Sequence, residues 1–269
     1  MTVTEPSLGS PEPRKHVHHR QSAAGTAQDP QAVVETTIAK KSGPDMLSRV
    51  KQYLVQTGYP DSAAITQLSG GDAFLYTYDL AVEDWKFTNT LPGVLIPELV
   101  DEKEIDNNSD ATVTEQFSYS KTTTDTFTFS FTEGLKVGVS AKFKAGVPFA
   151  GTEWTVSGEF SFTGTQSQTT TNTATWTNTV TINVPAHTKV RAVAFVTVGS
   201  PIYSFSASAV VTAGKVNIPV YDSAIGSWYD AIIPLAVLLP MPADRSLTLS
   251  GILSANLGVR TYVDLDPAE

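Results

Sequence analysis

The chain reads as mainly β, an elongated antiparallel protein with one short helix near its start and a disordered N-terminal arm. Three observations predict this. Apolar and polar residues alternate strictly over long runs, and Thr and Ser make up about a third of residues 111–184. There is no cysteine among the 269 residues, so the fold must hold by burial and strand pairing alone. That length accommodates one large β-rich unit or two modest ones.

Residues 1–44 are rich in Pro, Ser, Gly, Gln and charge, which predicts a mobile arm that is open to trimming at Arg20, Lys40 or Lys41. His16, His18 and His19 lie on that arm without fixed geometry, and no metal site is expected of them. The arm lacks the apolar run of a secretory signal, and no stretch of the chain approaches the roughly 20 apolar residues of a spanning helix.

The one helix is expected over "PDMLSRVKQYLVQTGYP". Asp45 caps it, Met46, Leu47, Val50, Tyr53 and Leu54 make its apolar stripe, and Gly58 with Pro60 ends it. "DAFLYTYDLAVEDWKFTNT" then reads as two aromatic-rich strands and "PGVLIPELVDEKEIDNNSD" as a linker. "AIIPLAVLLPMP", at 231–242, is broken by three prolines and reads as a buried strand edge.

Parity carries the central argument. Phe117, Tyr119, Phe127, Phe129 and Phe131 are odd, and Leu135, Val137, Val139, Ala141, Phe143, Ala145, Val147 and Phe149 continue in step. After "PFAGTE" the apolar parity becomes even at Trp154, Val156, Phe160, Phe162, Trp176, Val180, Ile182 and Val184. Two single-parity arms about one tip predict a hairpin with arms of roughly 30 residues, reaching roughly 100 Å. Its middle, 134–162, has the denser apolar face. The length there suits a transmembrane β-strand, which needs about 9–11 residues. A lone hairpin in lipid would leave edge groups unpaired, so that reading requires several copies closing into a barrel.

"NNSDATVTEQFSYSKTTT", "GLKVGVSAKFKAGVPF", "GTEWTVSGEFSFTGTQSQTTT" and "VTINVPAHTKVRAVAFV" occur in an order that resembles the epsilon-toxin and mosquitocidal-toxin family of aerolysin-like β-pore-forming toxins, over about 107–198. "LTLSGILSANLGVRTYVDL" looks like the family's last strands. The resemblance implies an elongated aerolysin-like protein that binds a cell-surface receptor, is often trimmed, and assembles as a homo-oligomer in the target-cell membrane. It implies a head at 45–106 completed by 199–240, a pore-forming module at 107–198, and C-terminal strands at 241–269 packing on it. Leu135 to Val147 and Trp154 to Phe162 would insert, with Pro148, Phe149, Ala150 and Gly151 at the tip. Lys136, Lys142, Lys144, Glu153 and Glu159 would then face the lumen. The expected protein is soluble as made and acts extracellularly, with no signal peptide recognised.

Tyr76, Tyr78, Trp85, Phe87, Tyr203, Tyr221, Trp228 and Tyr229 are either a receptor- or sugar-binding surface or the core of the head, and the sequence leaves both open. The formal charge of −9 speaks against nucleic acid as a partner. No phosphate loop or hydrolase signature is present, His187 has no histidine partner beside it, and neither a cofactor nor enzymatic activity is expected. The rival reading is a non-lytic β-rich binding module of the adhesin or lectin-like kind. It explains the alternation and the aromatics but not the paired long arms.

Overall fold

A computed structural model describes residues 28–59, 62–133, 135–136, 138–162 and 167–267. Two helices, α1 (Pro30–Lys41) and α2 (Pro44–Gln56), open this part of the chain. Strands follow as β1 (Ile65–Leu68), β2 (Phe74–Leu91), β3 (Leu95–Asn107), β4 (Val113–Glu133), β5 (Val139–Phe149) and β6 (Thr152–Phe162). Then come β7 (Ser167–Val184), β8 (Thr188–Gly199), β9 (Ile202–Asp222), β10 (Ser227–Pro234), the single turn α3 (Leu235–Leu238) and β11 (Ser246–Pro267). The sheet path runs β3-β8-β11-β9-β2-β5-β6, with β1 and β10 paired to β9, β4 to β11, and β7 to β4. This is the mainly β, elongated architecture that the alternation predicted. No helix among the described residues is long and apolar enough to cross a membrane.

Part of the segment expected to be a mobile arm is folded. Residues 30–41 are helical because Asp29 caps them, accepting the Gln31 N–H at 3.1 Å, and Pro30 occupies the first turn. Val34 and Ile38, four residues apart, are fully buried, and the Glu35 carboxylate accepts the Leu75 N–H. Two apolar residues on one face suffice to dock the helix, although the average composition of the segment hides them. α2 begins one residue before the anticipated cap: Gly43 is its N-cap, Pro44 leads, and Asp45 sits in the first turn, where its charge suits the helix dipole. Met46, Val50 and Leu54 face inward, and Gly58 at φ 84° ends the run.

Two further expectations are corrected in the next fifty residues. The aromatic segment expected to be two strands is one, β2. The acidic Glu83-Asp84 pair makes a bulge instead of a turn: Asp84 takes φ 54° and the pairing to β9 slips between Glu83 and Lys86. The expected linker is largely β3, an edge strand whose acids meet bases on β8. Lys189 lies 2.9 Å from Asp106 and Arg191 pairs with Glu102, so the charges that signal a loop hold a strand at the sheet edge.

The long hairpin is present in two tiers. β4 pairs with β7 without interruption from Val113–Val184 to Ser130–Ser167. β5 pairs with β6 from Val139–Phe162 to Phe149–Thr152. The second tier does not extend the first: β5 lies beside β2 in a short parallel pairing, and β6 doubles back along β7. The chain ends in one strand rather than several. β11 pairs with β9 and β4 up to Asn256 and with β8 from Leu257 onward, so it runs through a large core and a smaller one built around Phe117, Tyr119, Ile182 and Val184.

Asp125 sits where β11 changes partners. It is 3% exposed and accepts the Gly258 N–H at 2.9 Å. Burial pushes its carboxyl above the usual aspartate range, against the smaller opposing effect of that hydrogen bond. A raised folded-state pKa favours folding while the group is protonated, and this contribution is lost as pH rises through the raised value. Asp125→Asn is therefore expected to melt higher than the parent at neutral pH. The gap should close below about pH 3, where aspartate, with an ordinary pKa of about 3.9, is protonated in both states. Thermal melts of both proteins across pH measure this, and a gap that widens on acidification would contradict it.

Candidate functional site

The β5–β6 hairpin is an amphipathic ribbon laid on an aromatic bed. Its turn is Ala150-Gly151 with φ 50° and 80°, a two-residue type I′ pattern, so Pro148 and Phe149 belong to β5 and not to the tip. Val139, Ala141, Phe143, Ala145, Val147, Phe149, Val156, Phe160 and Phe162 are buried, as is Leu135 just before the strand, while Trp154 is half-buried. Val137 and Arg20 lie outside the described residues.

Trp85 is the hub beneath this face. Its indole stacks on Phe87 at 5.7 Å and touches Phe129 and Phe205 of the body at 5.5 and 5.4 Å. It also meets Phe143 and Phe160 of the hairpin at 6.2 and 6.3 Å. Phe143 and Phe160 stack on each other at 3.9 Å, and the Phe143 ring covers Gly158, the residue directly across the ladder.

The opposite face is polar and exposed. Lys142 stands across from Glu159 and Lys144 across from Ser157. Glu153 stands across from Pro148, and its carboxylate covers Gly146. Lys136 precedes the ribbon and is paired elsewhere.

Three sets of polar contacts hold the ribbon down. At its root, Gln28 bridges Leu135, and the Lys136 N–H donates to the Gln28 carbonyl at 2.9 Å. Lys136 Nζ lies 3.0 Å from Asp29 Oδ2, and the hydrogen bond raises the lysine pKa. Along the edge, the Gln168 side-chain amide accepts the Ser161 N–H at 2.8 Å and donates to the Ser161 carbonyl at 3.1 Å, standing in for a neighbouring strand. At the tip, the Tyr203 hydroxyl donates to the Pro148 carbonyl. The Phe149 ring lies over Gly199, where a Cβ would come within 2.5 Å of it.

The aromatic candidates divide between interior and surface. Tyr203 is buried and Trp85 half-buried, and both are engaged with the hairpin in this state. Tyr229 packs on Tyr59 at 5.7 Å, its hydroxyl pKa raised by burial, and Tyr78 is half-buried. Tyr76 and Trp228 are exposed, and Tyr221 lies 5.4 Å from Trp228. Phe74 and Ile232 are exposed on the same face, on either side of Asn217. Lys40 and Lys41 end α1 at the surface, and Lys41 is bound to Asp244.

Sequence reasoning missed Gln28, Asp29 and Gln168 and gave Tyr203 a different role. Gln168 did carry a signal: Gln168, Thr170 and Asn172 are polar on the apolar parity of their arm, at the place where β6 returns alongside it.

The family model of Clostridium epsilon toxin ETX/Bacillus mosquitocidal toxin MTX2 matches residues 88–200. No curated protein matches the chain. A crystal protein from Bacillus thuringiensis described as non-toxic is 18% identical over 83% of this chain and 96% of its own, with a TM-score of 0.50. The Mpp75Aa1.1 β-pore-forming protein from Brevibacillus laterosporus is 14% identical over 90% of each chain, with a TM-score of 0.47. At 18% identity the likeness to the Bacillus thuringiensis protein speaks for the fold alone. Residues 88–200 run from the end of β2 through β8 with the docked hairpin at their centre, so the likeness to the epsilon-toxin and mosquitocidal-toxin family falls on the segment that carries the hairpin.

Proposed function

We propose that this protein is a pore-forming toxin, insecticidal or cytolytic, that binds a cell surface, assembles with further copies and inserts its β5–β6 hairpin into the membrane. The observation that carries this is the ribbon itself. Its two strands are each 11 residues long, with one apolar face covered by an aromatic bed and few polar contacts holding it there. Each large apolar side chain on that face gains about 1.5–3 kcal/mol by leaving water. Undocking into water is therefore strongly opposed, and transfer into hydrocarbon is not. Copies must close a barrel so that no edge group is left unpaired. The Thr/Ser arms β4 and β7 would continue the wall in water. The exposed face carrying Tyr76, Tyr221 and Trp228 is assigned to a surface receptor, and trimming of the N-terminal arm at Arg20 or beyond is assigned to activation.

Lys142, Lys144, Glu153 and Glu159 would give a lumen of mixed charge. Dye release from liposomes and cells, with and without trypsin, followed by planar-bilayer recording, tests the proposal. Stepwise conductance with weak ion selectivity is expected, and the absence of conductance from protein that binds its target would overturn it. The second reading is a non-lytic binding module, favoured by the same exposed aromatic face, and it predicts cell binding without release. Assaying lysis across insect and mammalian cells would find the target.

A further inference from the structure

The two tiers of the hairpin are out of step. Ser130 pairs with Ser167 and Val139 with Phe162, so eight residues separate these rungs on one arm and four on the other. They cannot join end to end into one ladder as they stand. We infer that insertion proceeds by a four-residue slide of β5 along β6, which brings the upper tier into the register of the lower; this rests on the pore-forming reading above.

An even displacement keeps every side chain on its face, so the apolar ribbon survives the slide intact, whereas a one- or three-residue slide would turn it inside out. The upper tier is the one that moves, because the lower is held more firmly. β4 is paired on both sides over part of its length, to β7 and to β11, and its hydroxyls meet those of β7 at Ser118–Thr179, Thr128–Thr169 and Ser130–Ser167 within 3.0 Å. The upper tier has a single such contact, Ser140–Ser161 at 3.4 Å.

The slide also resolves two local oddities. Ala150 now takes φ 50°, a region that costs a residue with a Cβ about 1–2 kcal/mol. Pro148, which has no N–H to give a ladder, now sits inside a strand. After the slide the turn falls at Pro148-Phe149, where proline's fixed φ suits the first central position of a type I or II turn at the cost of the I′ geometry that two-residue hairpins favour, and Phe149 becomes the leading residue. Lys144 comes opposite Glu153, and Lys142 parts from Glu159.

The chain has no native cysteine, so introduced pairs report without interference. Ser140→Cys with Ser161→Cys locks the present register without tying the hairpin to the body. Ser140→Cys with Ser157→Cys matches the displaced register. In the docked state that second pair is four residues out of step, roughly 13 Å at about 3.3 Å per residue, beyond the roughly 7 Å limit of a disulfide. Oxidised S140C/S161C is expected to lose dye release at least tenfold and to recover it on reduction. S140C/S157C should remain uncross-linked before insertion and cross-link within single chains of the membrane-bound oligomer. Full release from oxidised S140C/S161C, or pores that cross-link 140 to 161 instead of 157, would overturn the slide while leaving pore formation standing. Absence of release from the cysteine-free parent would overturn both.

Discussion

Replacing Trp85 with alanine is expected to lower stability by about 3 kcal/mol, near the bottom of the range for truncating a large aromatic residue because the indole is partly exposed. For a chain of this size that is a fall of about 6–12 °C in melting temperature. The loss is large because five rings converge on this one, from β2, β4 and β9 of the body and from both strands of the hairpin. Aromatic pairs of this kind add about 0.5–1.5 kcal/mol each beyond the area they bury. Trp85→Phe should recover part of the loss, because a smaller ring still reaches some of these neighbours. Thermal and denaturant unfolding measure both variants. An alanine variant that melts with the parent would show that the hairpin rings close over the gap.

Tying the hairpin to the body should abolish permeabilisation. Ala81 and Lys142 are paired across the parallel contact between β2 and β5, and strands in a sheet lie about 4.8 Å apart, within the roughly 4.4–6.8 Å span of a disulfide. Lys142 is exposed, so the pair Ala81→Cys with Lys142→Cys can be oxidised in the folded protein. The cross-link leaves the outer face of β2, β9 and β10 untouched. Oxidised protein is thus expected to bind cells as the parent does and to release no dye, with release returning when the bond is reduced. Undiminished release from fully oxidised protein would mean that this hairpin is not the inserting element.

Alternation told which side of each strand is apolar, and the structure shows Phe127, Phe129, Phe131, Phe143 and Phe160 all turned inward. It did not tell which strand each face meets. Parity is a property of one strand, whereas pairing is decided between segments far apart in sequence. The fold-back of β5 onto β2 depends on Trp85, which lies outside the arms altogether and itself packs on Phe205. β3 was illegible for a similar reason: Glu102, Glu104 and Asp106 read as loop until Lys189 and Arg191 are placed beside them. α1 rests on two side chains in a polar segment. At the site, the faces of the hairpin could be read from the sequence and its fastenings could not, since Gln168 and Tyr203 act through backbone groups of residues they do not resemble or adjoin.

β11 belongs to both cores at once. Its first half is bonded to β9 and β4 and its second half to β8, with no loop between to absorb a difference in motion. Melting of either end withdraws half the partners of a strand on which the other end depends. The elongated body therefore lacks the independence that two separate cores would otherwise have, and it gains or loses its order as a single thermodynamic unit.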